Sequence, residues 1–272
     1  MRCIIFAAAC ALLTFAAFQK EAAAKQLCVI VAEAESGRLL ASEGDCETRV
    51  TPASTFKVAL AIMGYDAGAL TDERSPVLPF RDGYADWGGA EWRKAADPAR
   101  WMKYSIIWYS RLTARQIGAA RIKRYLRSFG YGNADFSGDP GKNNALDRAW
   151  VSSSLKISPR EQVAFLRQLV NRELPVAPEV HDRVGRIIES VAAGDGWTIA
   201  GKTGSAYPYR ADGSFDRKHA WGWFVGWASR GGTTLVFARL DEVDSTAVGP
   251  GGLHVRRLFL DSWRNMSKAA GY

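Results

Sequence analysis

The stretch Ser54-Thr55-Phe56-Lys57-Val58-Ala59-Leu60-Ala61-Ile62 decides how the chain is read. It follows the loop Thr51-Pro52-Ala53, and the spacing of Phe56, Leu60, Ile62 and Met63 predicts a buried helix from Ser54 onward. Positions i and i+3 of a helix share a face, so the Lys57 amine lies one turn from the Ser54 hydroxyl. A serine at a helix start also sits in the positive field of the N-terminus. The plain alternative is a capping serine with a solvated lysine, since serine caps are common and a lone S-x-x-K says little. The apolar residues after Lys57 weigh against it. They predict a buried lysine, and burial favours the neutral amine.

Downstream, Lys202-Thr203-Gly204 ends a predicted strand over 197–201. Gly204 lets a ligand approach the backbone closely, and the lysine and threonine suit a carboxylate. Two further elements lie between: Ser105-Ile106-Ile107 within the middle helical region, and Tyr131-Gly132-Asn133 after its last helix.

Strand signals surround this helical middle. Residues 27–34 and 38–41 read as a hairpin about Ser36-Gly37, and 197–201, 222–229 and 233–240 read as later strands. Asp97-Pro98 starts a helical stretch that runs with breaks to Phe129. Ser158-Pro159-Arg160-Glu161 opens another helix to about residue 170, 178–191 is read as helical, and 252–268 as a closing amphipathic helix. Strands at both ends and helices between predict an α+β domain whose sheet combines the two termini.

The 272 residues, 47% apolar and 24% charged, fit one ordinary globular domain and exclude a disordered, collagenous or coiled-coil chain. Residues 3–18 are apolar except for Thr14, and Ala22-Ala23-Ala24 follows a short polar stretch. That layout predicts a signal peptide over 1–24 and a mature domain over 25–272. The apolar run is short for a membrane span. Removing 1–24 leaves Cys28 and Cys46, flanking the hairpin. An exported pair this close can form a disulfide, the alternative being two free thiols.

The formal charge of +8 falls to about +7 without the signal, and its basic residues are scattered among acids. Anionic small molecules suit such a surface better than nucleic acid. His181, His219 and His254 have no zinc-site spacing, and there is no G-x-S-x-G, phosphate loop or dinucleotide fingerprint. No metal is expected.

The order S-x-x-K, serine triplet, Y-G-N, K-T-G resembles the penicillin-recognising serine enzymes across essentially the whole mature chain. The class A triplet S-D-N is absent, because Ile107 stands at its third position, and the class A acidic base has no clear counterpart. Class D enzymes, the oxacillinase type, carry S-x-V, Y-G-N and K-T-G. Asp147-Arg148-Ala149-Trp150 with Ser154-Leu155-Lys156-Ile157-Ser158 resembles their tryptophan loop, and 222–227 is similar to their strand after K-T-G. Arg256, in Gly252-Leu253-His254-Val255-Arg256, matches their substrate-carboxylate arginine. Ile107 departs from the usual valine by one methylene and keeps the wall apolar.

The resemblance implies an α+β β-lactamase/transpeptidase-like fold, with a five-stranded antiparallel sheet beside a mostly helical region. It implies hydrolysis of β-lactam antibiotics through an acyl-enzyme on Ser54. Lys57 is then the base as N6-carboxylysine, so carbon dioxide or bicarbonate is required and no other cofactor. Ser105 and Lys202 pass a proton to the leaving nitrogen, and Trp150 donates to the carbamate. Ile107, Tyr131, Asn133, Thr203, Gly204, Ser205 and Arg256 surround the substrate, with Ser54 and Ser205 backbone N–H groups as the oxyanion hole. A monomer or homodimer in the periplasm, without stable membrane association or nucleic acid, completes the expectation. The alternatives are a β-lactam sensor domain that acylates without turnover and a small cell-wall transpeptidase or peptidase.

Overall fold

The computed structural model describes residues 24–272. The expected signal segment, Ala24 apart, lies outside the described residues.

Two strands from the N-terminal end, β1 (Lys25–Glu33) and β2 (Leu39–Gly44), join four later ones. These are β3 (Ser190–Ala192), β4 (Thr198–Ala206), β5 (Ala220–Arg230) and β6 (Thr233–Val243). Among the described residues they form one sheet of six strands, ordered β2-β1-β6-β5-β4-β3, with every neighbouring pair antiparallel. The sheet does combine the chain ends, with Ile30 opposite Ala238 in the β1–β6 pair. The expected five strands become six because residues 190–192, read as the end of a helix, leave the helical path and pair with β4. The strand read over 197–201 runs on to Ala206, so Lys202-Thr203-Gly204 lies within β4.

Between β2 and β3 run α1 (Phe56–Asp66), α2 (Pro98–Tyr104), α3 (Ile107–Ile117), α4 (Ala119–Ser128), α5 (Ala145–Arg148), α6 (Pro159–Val170) and α7 (Pro178–Ile187). A short α8 (Ser245–Val248) and the long α9 (Gly251–Ala269) follow the sheet. The caps match the sequence signals. Asp97 accepts from the Arg100 N–H at 2.7 Å, and Ser158 with Glu161 closes a reciprocal capping box.

Strand periodicity sorts the core into two layers. Cys28, Ile30, Ala32, Trp223 and Val225 face the helical region. Val29, Val31, Phe224 and Ala228 face α9, where Phe237 stacks on Phe259 at 4.1 Å. The sheet is thus covered on both faces. Cys28 and Cys46 form a disulfide with Cα atoms 5.2 Å apart, tying β1 to the segment after β2.

Candidate active site

The turn that carries Ser54 is held from several directions. Ala53 adopts a left-handed φ of 50° before a single 3-10 turn, Ala53–Thr55, that leads into α1. Such a conformation is costly for a residue with a side chain and survives where its surroundings fix it. Thr51 supplies much of that fixing. Its carbonyl accepts the Trp223 indole N–H from β5 at 3.0 Å, and its hydroxyl donates to the Trp150 carbonyl at 2.9 Å. Thr55 is held by Gln162 of α6, whose amide donates to the Thr55 hydroxyl at 2.8 Å. Neither Thr51 nor Gln162 stands out in the sequence, because each acts through partners about a hundred residues or more away.

Lys57 is completely buried in α1, and its Nζ lies 2.9 Å from Ser54 Oγ. Burial pushes the amine well below the usual lysine range, and the nearby charges of Lys202 and Arg111 push the same way. Arg111 is a group that sequence reading missed. It lies one turn beyond Ile107 on α3 and is also 3.6 Å from Asp147 of α5.

Opposite this turn stands β4. Lys202 is 4% exposed, and its Nζ donates to the Thr203 carbonyl at 3.1 Å. Burial lowers it to about 8; Glu189 partly offsets that, and Arg256 adds to it. Ser205 Oγ accepts the Gly252 N–H at 2.9 Å, which docks the start of α9 against β4. Ser105 is the hinge between α2 and α3, with a left-handed φ of 58°.

These elements enclose a cleft of about 410 Å³. Ser54, Ser105, Ile107, Thr203, Gly204 and Ser205 line it, so the structure brings half of the expected site together there from three separate segments. Trp87, Trp92, Lys103, Tyr104 and Leu253 also line it, and the motif reading had not assigned them.

Four expected residues stand elsewhere. Tyr131 is fully buried, with its ring 5.9 Å from Phe56 and 5.0 Å from Phe165, so it packs behind the nucleophile helix. The Asn133 amide donates to the Ser154 carbonyl at 2.9 Å, and its oxygen accepts the Lys156 N–H at 3.0 Å. Gly132 between them has φ 55°, and a side-chain carbon there would stand 2.1 Å from the Lys156 carbonyl. The triplet is therefore a clamp between two loops, outside the cleft. Trp150 is buried against Phe136 and 5.3 Å from Phe56, behind the wall. Arg256 is 3.8 Å from Glu189 and lies over the Phe224 ring on the α9 side of the sheet, outside the cleft lining.

With this geometry the comparisons agree. Residues 27–255 match the family described as penicillin binding protein transpeptidase domain. The chain is 39% identical over 229 residues to beta-lactamase OXA-9 of Klebsiella pneumoniae, covering 84% of each protein. Its structure is similar to the crystal structure of the OXA-427 class D beta-lactamase, with TM-score 0.82 and 43% identity, over 89% of this chain and 99% of that one. The C-terminal domain of the Bacillus licheniformis BlaR penicillin-receptor is less similar, with TM-score 0.72 and 25% identity over 86% of this chain and 89% of that one. A buried lysine hydrogen-bonded to a cleft serine, facing a K-T-G strand, places the chain in the penicillin-binding protein transpeptidase-domain family and, within it, among the class D serine β-lactamases.

Proposed function

We propose that the enzyme opens the ring of penicillin-type β-lactams through an ester on Ser54, with Lys57 carrying a carbamate as the base. The carrying observation is the fully buried Lys57 amine 2.9 Å from Ser54 Oγ. Carbon dioxide reacts with the neutral amine, and burial together with the charges of Lys202 and Arg111 favours that form. The surroundings also fit the anion that results. The charges acting on Lys57 are both positive, and Trp150, buried 5.3 Å from Phe56, is the indole expected to donate to the anion. When present, the carbamate supplies an oxygen base within reach of Ser54 for acylation and of water for deacylation.

The chain's own groups supply the rest. Ser54 Oγ attacks the lactam carbonyl, and backbone N–H groups of Ser54 and Ser205 stabilise the oxyanion. The C–N bond breaks, and Ser105, with Lys202, delivers a proton to the leaving nitrogen. Thr203 and Arg256 seat the substrate carboxylate, with Lys202 beside them. Water then hydrolyses the ester and frees Ser54.

Periplasmic export through residues 1–24 belongs to the same reading. The Cys28–Cys46 disulfide supports it, because such bonds persist in oxidising compartments. Among the described residues no helix is long and apolar enough to cross a membrane.

The test joins intact mass after penicillin treatment to turnover in degassed buffer titrated with bicarbonate. An adduct on the parent and none on S54A is expected, with turnover rising as bicarbonate is added. Turnover indifferent to bicarbonate, with no carbon-13 carbamate resonance, would rule out the carboxylated lysine. An adduct that persists without hydrolysis would instead favour a sensor.

A further inference from the structure

We infer that Lys103 and the aromatic shelf beside it select β-lactams whose acyl side chain carries both an aryl ring and a carboxylate. This rests on the reading of the cleft as a β-lactam site and extends it to the substrate preferred there.

Three lysines approach the cleft, and only one is exposed at it. Lys57 and Lys202 are buried beneath the floor. Lys103, in the last turn of α2 and two residues before Ser105, lines the cleft with its side chain open to solvent. Its ammonium lies over the Tyr104 ring, 5.5 Å from the centroid, and no carboxylate pairs with it among the described residues. The acids nearby are already engaged. Glu91 binds Lys94 at 2.6 Å and Arg100 at 2.8 Å, and Asp86 binds Arg93 at 2.8 Å. Arg256, the other candidate for an anion, does not line the cleft and lies 3.8 Å from Glu189. Lys103 is thus a cleft cation left without a counter-charge.

The same wall carries an exposed indole. Trp87 is 72% exposed and lines the cleft, with its ring 4.5 Å from Trp92. Trp92 is fixed in turn, because its N–H donates to the Tyr104 carbonyl at 2.8 Å. Gly88 makes room for it, since a side-chain carbon at Gly88 would stand 2.0 Å from the Trp92 ring. The Trp92–Tyr104 bond joins the shelf to the turn that presents Lys103. Leu253, 60% exposed, lines the cleft from α9. An aryl ring on Trp87 gains offset stacking and burial. A carboxylate on the adjacent carbon meets the unneutralised ammonium.

The rival role for Lys103 is to hold the carboxylate of the bicyclic nucleus, which all penicillins share. Benzylpenicillin and carbenicillin separate the two, because they differ only by a carboxylate on the benzylic carbon. kcat/KM is measured for both with parent, K103M, K103R, K103E and W87A enzymes, alongside Tm for each. K103M should lower kcat/KM for carbenicillin about fivefold more than for benzylpenicillin, the range of a partly solvated charge pair. K103E should widen that gap and K103R restore parental discrimination. The gap should shrink as salt is raised. W87A should impair both aryl penicillins more than one with a linear alkyl side chain. Equal losses on the two aryl penicillins, or none, would overturn the assignment. A parent that fails to turn over benzylpenicillin would overturn the reading of the cleft itself, a separate outcome.

Discussion

Gly204 of β4 rests directly on Thr55 of the nucleophile turn. A side-chain carbon at Gly204 would stand 3.1 Å from Thr55 Cγ2, 3.3 Å from the Thr55 nitrogen and 3.0 Å from the Pro52 carbonyl. These contacts are tight, and two of the three involve backbone that the disulfide-closed sheet and the Thr51 hydrogen bonds hold in place. The methyl of G204A must therefore push β4 away from Ser54. Misplacement by an ångström costs about a hundredfold in rate, so a shift of a few tenths should cost the acylation rate about tenfold. Stopped-flow acylation by a chromogenic cephalosporin measures it, and a parental rate would mean that the seam yields.

Lys57 is kept at a cost to stability. The unfolded chain protonates it below the ordinary lysine pKa, whereas the folded chain holds it neutral over a window reaching well below that value. The unfolded state binds more protons throughout that window, so stability should rise with pH there. K57M removes the term. The variant should be inactive yet melt higher than the parent, with the gain larger at pH 6 than at pH 9. Thermal unfolding at both pH values without added bicarbonate checks this; a gain that grows with pH would contradict it.

Lys202 sets the alkaline limb. Burial lowers its ammonium to about 8, so its charge is lost as pH rises through that value. kcat/KM for penicillins should decline with an apparent pKa near about 8. In K202R the guanidinium stays charged, and whatever activity survives should lack that limb. A pH–rate profile of both proteins decides it, and an unchanged limb in K202R would assign the titration to another group.

The Cys28–Cys46 bridge closes a loop with sequence separation 18, and neither cysteine lines the cleft. In the chain-entropy model such a loop is worth about 3 kcal/mol. The double serine variant should therefore melt roughly 6–12 °C lower and retain parental kcat/KM at 25 °C. A loss of activity without a change in melting would reverse the assignment.

W150A should slow deacylation more than acylation, and bicarbonate should restore more of its rate than of the parent's. Its indole is buried beside Phe56, and its loss admits water to the Lys57 wall. Single-turnover acylation and steady-state turnover, each with and without bicarbonate, separate the two steps. Equal losses in both, indifferent to bicarbonate, would reduce Trp150 to packing.

Much of this is legible in the sequence, and the exceptions share a cause. Ser54, Lys57 and Lys202-Thr203-Gly204 were readable because the first pair sits one turn apart on a helix and the triplet on one strand, where spacing alone fixes geometry. Strand β3 was not, since three residues with one β-branched side chain have no period of their own, and pairing with β4 makes them a strand. Tyr131 and Asn133 were placed at the substrate because a motif names residues without saying which way they face. The structure turns one into the core and the other onto Ser154 and Lys156. The contact of Arg256 with Glu189 is hidden in the sequence in the same way, because Glu189 precedes a strand with no period of its own. Trp87 and Lys103 lay in a stretch read only as loop and helix, and they matter through their exposure at one wall.

The pairing of β1 with β6 has a consequence for the order of events in the cell. Strand β1 lies between the edge strand β2 and β6, which is made long after it. Until β6 arrives, β1 has only the short β2 beside it, and a two-stranded hairpin is marginal in water. Contacts this distant in sequence form slowly, because the intervening chain must first be ordered. The chain must therefore be made through β6 before its sheet can close around β1.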